Sequence, residues 1–324
     1  ANNAQIYNKE TSLNNSPRKY HQNLCAIVAF GYICGENTCQ FFMKVFCIES
    51  GYFSTDGGAM FGIMSRKIWS GKYPVDDENR CPLAMRCFFI DFGQHKVIFD
   101  TGVGQKPIGM DYYRFHHVID IRQALAEKGY QPEDITDVVL SHLHFDHCGG
   151  CTFLDEKGDI QITFPNAKHW TTMAQWQNSL QPGPWEGDAY LRENLQAVDE
   201  AGLLQKLELD DEGIEIFPGL QLKKAQGHTF DQLVAFAQTD QGNFCISGDV
   251  VPMCLHINAA CIAAIDNHAA LAVTEKAQVL QEAFQQNCHM VFYHDAVTAY
   301  ASLRQMGRHI SAGVKYPSTN QTLR

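Results

Sequence analysis

Four side chains within six consecutive positions carry much of the chemistry in this chain. His142, His144, Asp146 and His147 lie in HLHFDH, directly after the apolar run Asp137-Val138-Val139-Leu140 and Ser141. Alternate residues of an extended segment point the same way, so His142 and His144 can converge on one ion. A helix starting near Asp146 would project Asp146 and His147 from its first turn, offset from the first pair. Imidazole suits zinc, iron, cobalt or nickel, and a carboxylate among the nitrogens marks a water-bearing centre rather than a closed structural one. Three further polar residues follow apolar runs: His228 after LQLKKAQG, Asp249 after NFCISG, and His294 after HMVFY. Layered α/β folds place their sites at such strand ends. Five imidazoles and two carboxylates suffice for two cations that share a bridging carboxylate.

Elements of regular structure must bring these residues together. FFIDF and KVIFD, separated by GQH, read as a hairpin. DVVLS is a short buried strand. QITF, GIEIF, LQLKKA, QLVAFAQ and NFCIS add strands through residue 247, and HMVFY reads as the final one. Val118, Ile121 and Leu125 fall at i, i+3 and i+7, with Gly129 where a helix C-cap would stand. Ala277, Leu280, Ala283 and Phe284 mark a late helix. Strands come in two batches, each accompanied by helices. This predicts a layered α/β sandwich (α+β by some schemes) rather than an alternating Rossmann pattern.

Composition narrows the functional classes. The chain has 324 residues, 45% hydrophobic and 19% charged, which is ordinary globular composition. With 25 Lys+Arg against 36 Asp+Glu, the net charge of −11 disfavours nucleic-acid backbones and anionic lipid as partners. No apolar run reaches the ~18–20 residues of a membrane helix. The 12 cysteines are irregularly spaced in a long chain and several sit in strand-like runs, which reads as a reducing, cytoplasmic setting. Residues 1–42 begin polar and Asn-rich and read as an extension outside a domain spanning 43–324; Leu24–Cys34 behind Arg18 and Lys19 is a weaker match to a signal core.

HLHFDH, GHT, SGD and FYHD, in this order, resemble the metallo-β-lactamase fold. DGGAMFG, KYPVDDENR, IFDTGVG and FYHDA are most similar to its YtnP-like quorum-quenching lactonase branch. The resemblance covers about residues 43–324. It implies an αββα sandwich of two mixed β-sheets flanked by helices. It implies two divalent metal ions per chain, zinc first, with iron, cobalt, manganese or nickel as alternatives. His142, His144 and His228 would hold one, Asp146, His147 and His294 the other, and Asp249 would bridge them. Asp100 in IFDTG would support the ligand loops. The implied activity is hydrolysis of an ester-like bond by a hydroxide shared between the cations, in a small-molecule lactone such as an N-acyl homoserine lactone. Asp146 would carry the proton to the leaving oxygen. A homodimer is a further expectation.

The chain departs from better-known lactonases in two places: Pro252 stands where they carry a Tyr, and Gln232 where many have a second His. His256 is a candidate catalytic residue in place of that Tyr, with a structural role as its alternative. Met60 and Phe61 could line an apolar wall, and Trp170, Trp176, Trp185 and Tyr190 could cap it. Cys148 and Cys151 match C-x-x-C, but their place beside a metal ligand at a helix start speaks for packing. The competing substrates are a thioester, a phosphotriester or a β-lactam. A di-iron oxidoreductase would have a carboxylate in the motif where His144 stands. An inactive relative would have lost at least one of the seven ligand positions.

Overall fold

A computed structural model of the chain describes residues 43–318; the extension expected at 1–42 lies outside the described residues. In chain order, the first half contributes β1 (Lys44–Asp56), β2 (Arg80–Asp91), β3 (Lys96–Phe99), β4 (Asp137–Val139), a small separate hairpin of β5 (Thr152–Leu154) and β6 (Ile160–Ile162), then β7 (Lys168–Thr172) and β8 (Leu204–Leu207). The second half contributes β9 (Ile214–Phe217), β10 (Leu220–Ala225), β11 (Gln232–Thr239), β12 (Gly242–Ile246), β13 (Cys288–Val291), β14 (Thr298–Met306) and β15 (His309–Pro317). They form a six-stranded sheet, β1-β2-β3-β4-β7-β8, and a seven-stranded sheet, β15-β14-β13-β12-β11-β10-β9. Both are mixed: β3, β4, β7 and β8 run parallel, as do β12 and β13, while the other neighbours are antiparallel.

Side-chain alternation explains the layering. On β2, Phe88 and Ile90 point inward with Val97, Phe99 and Val139 and meet Leu222, Leu233, Ala235 and Ile246 of the other sheet. Cys87 and Phe89 point the opposite way and pack under the helix Ile121–Ala126 and Val198 of the helix Gln196–Glu200. A strand buried on both faces must read as a continuous apolar run, which is why RCFFID does not alternate. Each fully buried Phe of this kind contributes roughly 1.5–3 kcal/mol. The helix Ala269–Gln285 covers the outer face of the second sheet through Leu280 and Ala283, against Val234, Phe236 and Met290. The layers are therefore helix, sheet, sheet, helix.

Several expectations need adjustment. HMVFY is not the last strand, because β14 and β15 follow as a hairpin turning at Gly307, where φ is +61°. Their exposed residues keep the apolar signal weak. QITF belongs to the β5–β6 hairpin rather than to either large sheet. β1 is a 13-residue strand whose bulge between Glu49 and Gly51 breaks the period-2 pattern. The helix beginning at Ile121 excludes Val118, since Asp120 caps it by accepting from Arg122 N. Among the described residues no helix is long and apolar enough to cross a membrane, and the described cysteines are free thiols, all but Cys47 buried.

Candidate metal centre

The loop after β4 carries the first four ligating side chains, and a four-residue helix, Phe145–Cys148, does start beside Asp146. Close packing behind it demands the glycines: a Cβ on Gly149 would sit 2.2 Å from Val103 O, and one on Gly150 2.2 Å from Thr101 O. The second sheet delivers the rest. His228 follows β10, Asp249 lies in the turn after β12, and His294 follows β13. His294 is held by its own backbone, with its N–H donating to Pro252 O at 2.9 Å and its carbonyl accepting from Ala84 N at 3.0 Å. Buried Arg86 donates to the carbonyls of Phe292 and Asp295 on either side of Tyr293-His294.

These residues meet. Ligand atoms of His142, His144 and His228 lie within 4.8 Å of one another, as do those of Asp146, His147 and His294, and those of His142, His147 and Asp249. Asp249 faces both sets. Its Oδ1 is 3.5 Å from His147 Nε2 and 3.3 Å from His294 Nε2, and its Oδ2 is 3.5 Å from His228 Nε2.

Each imidazole has one nitrogen committed elsewhere. His142 Nδ1 donates to Ser141 Oγ at 3.0 Å, His147 Nδ1 to Asp100 Oδ2 at 2.9 Å, His228 Nδ1 to Asp266 Oδ1 at 2.9 Å, and His294 Nδ1 to Ala84 O at 2.9 Å. In His144 the roles are exchanged: Nε2 is 3.2 Å from Glu186 Oε2, leaving Nδ1 for the centre. Such outer partners fix the tautomer and orientation of a ligating histidine. The inward atoms His142 Nε2, His147 Nε2, His228 Nε2 and Asp249 Oδ1 are buried and have no hydrogen-bond partner. Buried polar atoms without partners are costly, and a cation among them would satisfy all four. Electrostatics agree. Burial and the neighbouring rings hold His142 well below the usual histidine range. Burial opposes ionisation of Asp249, but His294 and His147 push its carboxyl well below the usual range. The donor set therefore fits divalent metal ions.

Asp100, expected to support the ligand loops, does so at three points: it accepts from Ser141 N at 2.7 Å, from Ser141 Oγ at 2.8 Å and from His147 Nδ1. Its φ is +54°. Tyr293 stacks on His147 with centroids 3.9 Å apart and donates to Asp146 O at 2.6 Å. Asp266 and Glu186 carried no signal in the sequence, because nothing in the AAIDNH or GPWEG contexts marks a lone carboxylate as the partner of a distant histidine.

A cavity of about 580 Å³ opens onto the centre, with Asp146, Asp249, His144 and His294 on its floor. Phe53, Met60, Leu83, Met110, Tyr113, Phe145 and Trp185 supply apolar walls, and no lysine or arginine is among the described residues lining it. Met60 is a wall residue, as expected. Phe61 instead stacks on Trp69 at 4.7 Å in the core. Of the three tryptophans expected to cap it only Trp185 lines the cavity: Trp170 packs between the sheets and donates to Asp137, and Trp176 packs beside the first sheet's helices. His256 is fully buried and does not line the cavity; its Nε2 donates to Met60 O at 2.8 Å, and burial and Lys276 lower it to about 3. Gln232, in place of a second histidine, donates to Ser247 O at 2.7 Å. Cys148 and Cys151 are buried thiols; Cys148 Sγ donates to Leu143 O.

Known proteins resemble this chain to different degrees. A probable metal-dependent hydrolase from Staphylococcus aureus is 25% identical and superposes with a TM-score of 0.76, covering 87% of this chain and 98% of that one. AidC, a dizinc quorum-quenching lactonase solved with the product N-hexanoyl-L-homoserine, is 16% identical with a TM-score of 0.65, covering 85% and 94%, a likeness of fold alone. An N-acyl homoserine lactonase from Bacillus cereus is 24% identical over 163 residues, which is 47% of this chain; the chain thus spans little more than half, 57%, of that relative. Residues 84–298, well over half of the chain, match the metallo-beta-lactamase superfamily, and the chain belongs to that superfamily.

Proposed function

We propose that this protein is a dinuclear metallohydrolase that opens a neutral lactone bearing an apolar arm, such as an N-acyl homoserine lactone. One observation carries the reading: five imidazoles, each with its other nitrogen tied outside, and two carboxylates surround one point at the floor of an apolar cavity. His142, His144 and His228 would hold one cation, Asp146, His147 and His294 the other, and Asp249 would bridge them. When bound, such cations polarise a carbonyl oxygen and lower the pKa of water from 15.7 to about 7.

The chain's own groups do the rest. Phe53, Met60, Met110 and Trp185 hold the apolar arm and exclude water. Asp146, which lines the cavity, would move the proton. Water oxygen adds to the lactone carbonyl carbon, and the ring C–O bond breaks. Asp146 takes the proton lost by the attacking oxygen and gives it to the departing alkoxide, so the product is a hydroxy acid that ionises. A cavity with no lysine or arginine among its described lining residues favours a neutral ester over an anionic thioester. A reducing, cytoplasmic setting is part of this proposal, from the irregular cysteine spacing of the sequence.

The test is elemental analysis of the purified protein beside a panel of an acyl homoserine lactone, S-lactoylglutathione and paraoxon. We expect about two metals per chain and turnover of the lactone. Turnover of the thioester or phosphotriester with the lactone untouched would replace the substrate assignment, and less than about one metal per chain with no activity after adding zinc, cobalt or manganese would overturn the hydrolase.

A further inference from the structure

We propose that Glu186 is a positioning residue that ties one wall of the cavity to His144, so that holding the cation and ordering the substrate wall become a single event. The proposal rests on the reading that His144 ligates a metal and that the cavity receives the substrate.

Glu186 lies in the segment after the helix Met173–Leu180, which supplies Pro184, Trp185, Asp188 and Ala189 to the cavity wall. Its side chain is 8% exposed and fully engaged. Oε2 sits 3.2 Å from His144 Nε2, accepts from Thr229 Oγ1 at 3.0 Å and from Tyr190 OH at 3.2 Å, while Oε1 accepts from Asn178 Nδ2. Thr229 is the residue after His228, so one carboxylate touches a first-set histidine and the neighbour of another. A carboxylate on His144 Nε2–H keeps the proton there and leaves Nδ1 bare for a cation.

No side chain of this segment is fully buried. Residues 181–193 include no buried residue, and Trp185 is 69% exposed. Tyr190 packs on one core cluster and Ala189 and Leu191 on another, each only partly buried, so the stretch leans heavily on its polar anchors and opens at lower free-energy cost when they go. The second anchor is Trp185 Nε1, which donates to Ile265 O at 3.4 Å, next to Asp266, the partner of His228. One anchor therefore ends on a first-set histidine and the other on the residue next to Asp266, which orients His228. A cation that pins His144 and His228 would also pin the wall, and a wall pulled away would loosen His144.

The experiment compares wild type, Glu186→Gln, Glu186→Ala and Trp185→Ala, each as full-chain protein with and without zinc. Chelator competition reads metal affinity, and hydrogen exchange reads residues 182–190 without any substrate. We expect zinc to slow exchange in 182–190 of the wild type. Glu186→Ala should weaken zinc binding by about 10- to 100-fold, and Glu186→Gln less. In both, 182–190 should exchange fast even with zinc bound, while the core strands keep wild-type protection. Trp185→Ala should raise KM and leave zinc affinity within about threefold. Wild-type zinc affinity in both Glu186 variants, or exchange in 182–190 that ignores zinc, overturns the proposal. A wild type that binds zinc but opens no lactone would sink the substrate assignment and leave this inference standing.

Discussion

Asp100→Asn is the most informative single perturbation of the centre. Asp100 has a left-handed backbone, φ +54°, which Asn adopts with little strain, so the main chain should not move. The side chain is constrained because Ser141 N must still be accepted, at 2.7 Å, by the remaining oxygen. The new amide nitrogen then takes the place of Oδ2, facing Ser141 Oγ and His147 Nδ1. The hydroxyl can rotate and accept. His147 cannot: an N–H aimed at Nδ1 favours the tautomer with its proton on Nε2, the nitrogen that points into the centre with no partner. A hydrogen bond to a charged group is worth about 1.5–3 kcal/mol. At about 1.4 kcal/mol per decade that is roughly a 10- to 100-fold loss of metal affinity, the range typical of outer partners of ligating histidines. Zinc-loaded protein titrated against a chromophoric chelator measures it, with elemental analysis after dialysis as the check. An Asp100→Asn protein of unchanged melting temperature and unchanged zinc affinity would refute the claim that Asp100 sets the tautomer of His147.

Asp249→Ala should lower both metal content and rate, because its two oxygens face both ligand sets; a collapsed rate with both metals retained would rule out bridging. His256→Gln keeps a donor for Met60 O, and since His256 does not line the cavity, kcat should fall less than about threefold, whereas a general acid or base would lose about 100-fold or more. His169 is buried and lowered by burial to about 4. It is neutral in the fold while the unfolded chain takes up a proton below about 6.5, so its contribution is full above pH 6.5 and is lost as pH falls toward 4; urea unfolding of His169→Phe at pH 7.5 and pH 5 should show a smaller acid loss than wild type, and an identical loss would exclude the role.

The sequence and the structure agree where the signal is local. HLHFDH announces itself because four donors sit within six residues after a strand, and GHT, SGD and FYHD because each ends an apolar run. Asp100 was legible through IFDTG. Glu186 and Asp266 were not, since a carboxylate that serves a histidine 42 or 38 positions away is chosen by tertiary contact alone. In the fold, β2, β10, β11 and β12 were readable from burial patterns, whereas β1 was hidden by its bulge and the β14–β15 pair by its solvent-facing residues.

The division of donors between the two sheets has a consequence for how the chain comes apart. Four of them arrive before residue 150 and three after residue 225, on two sheets that pack through their apolar faces. A divalent ion held by both acts as a cross-brace, absent until the halves have docked and lost as soon as they part. Metal should therefore leave the speed of refolding nearly untouched and act mainly by slowing the separation. Durability of this protein would then follow the metal supply of its surroundings more closely than the quality of its packing.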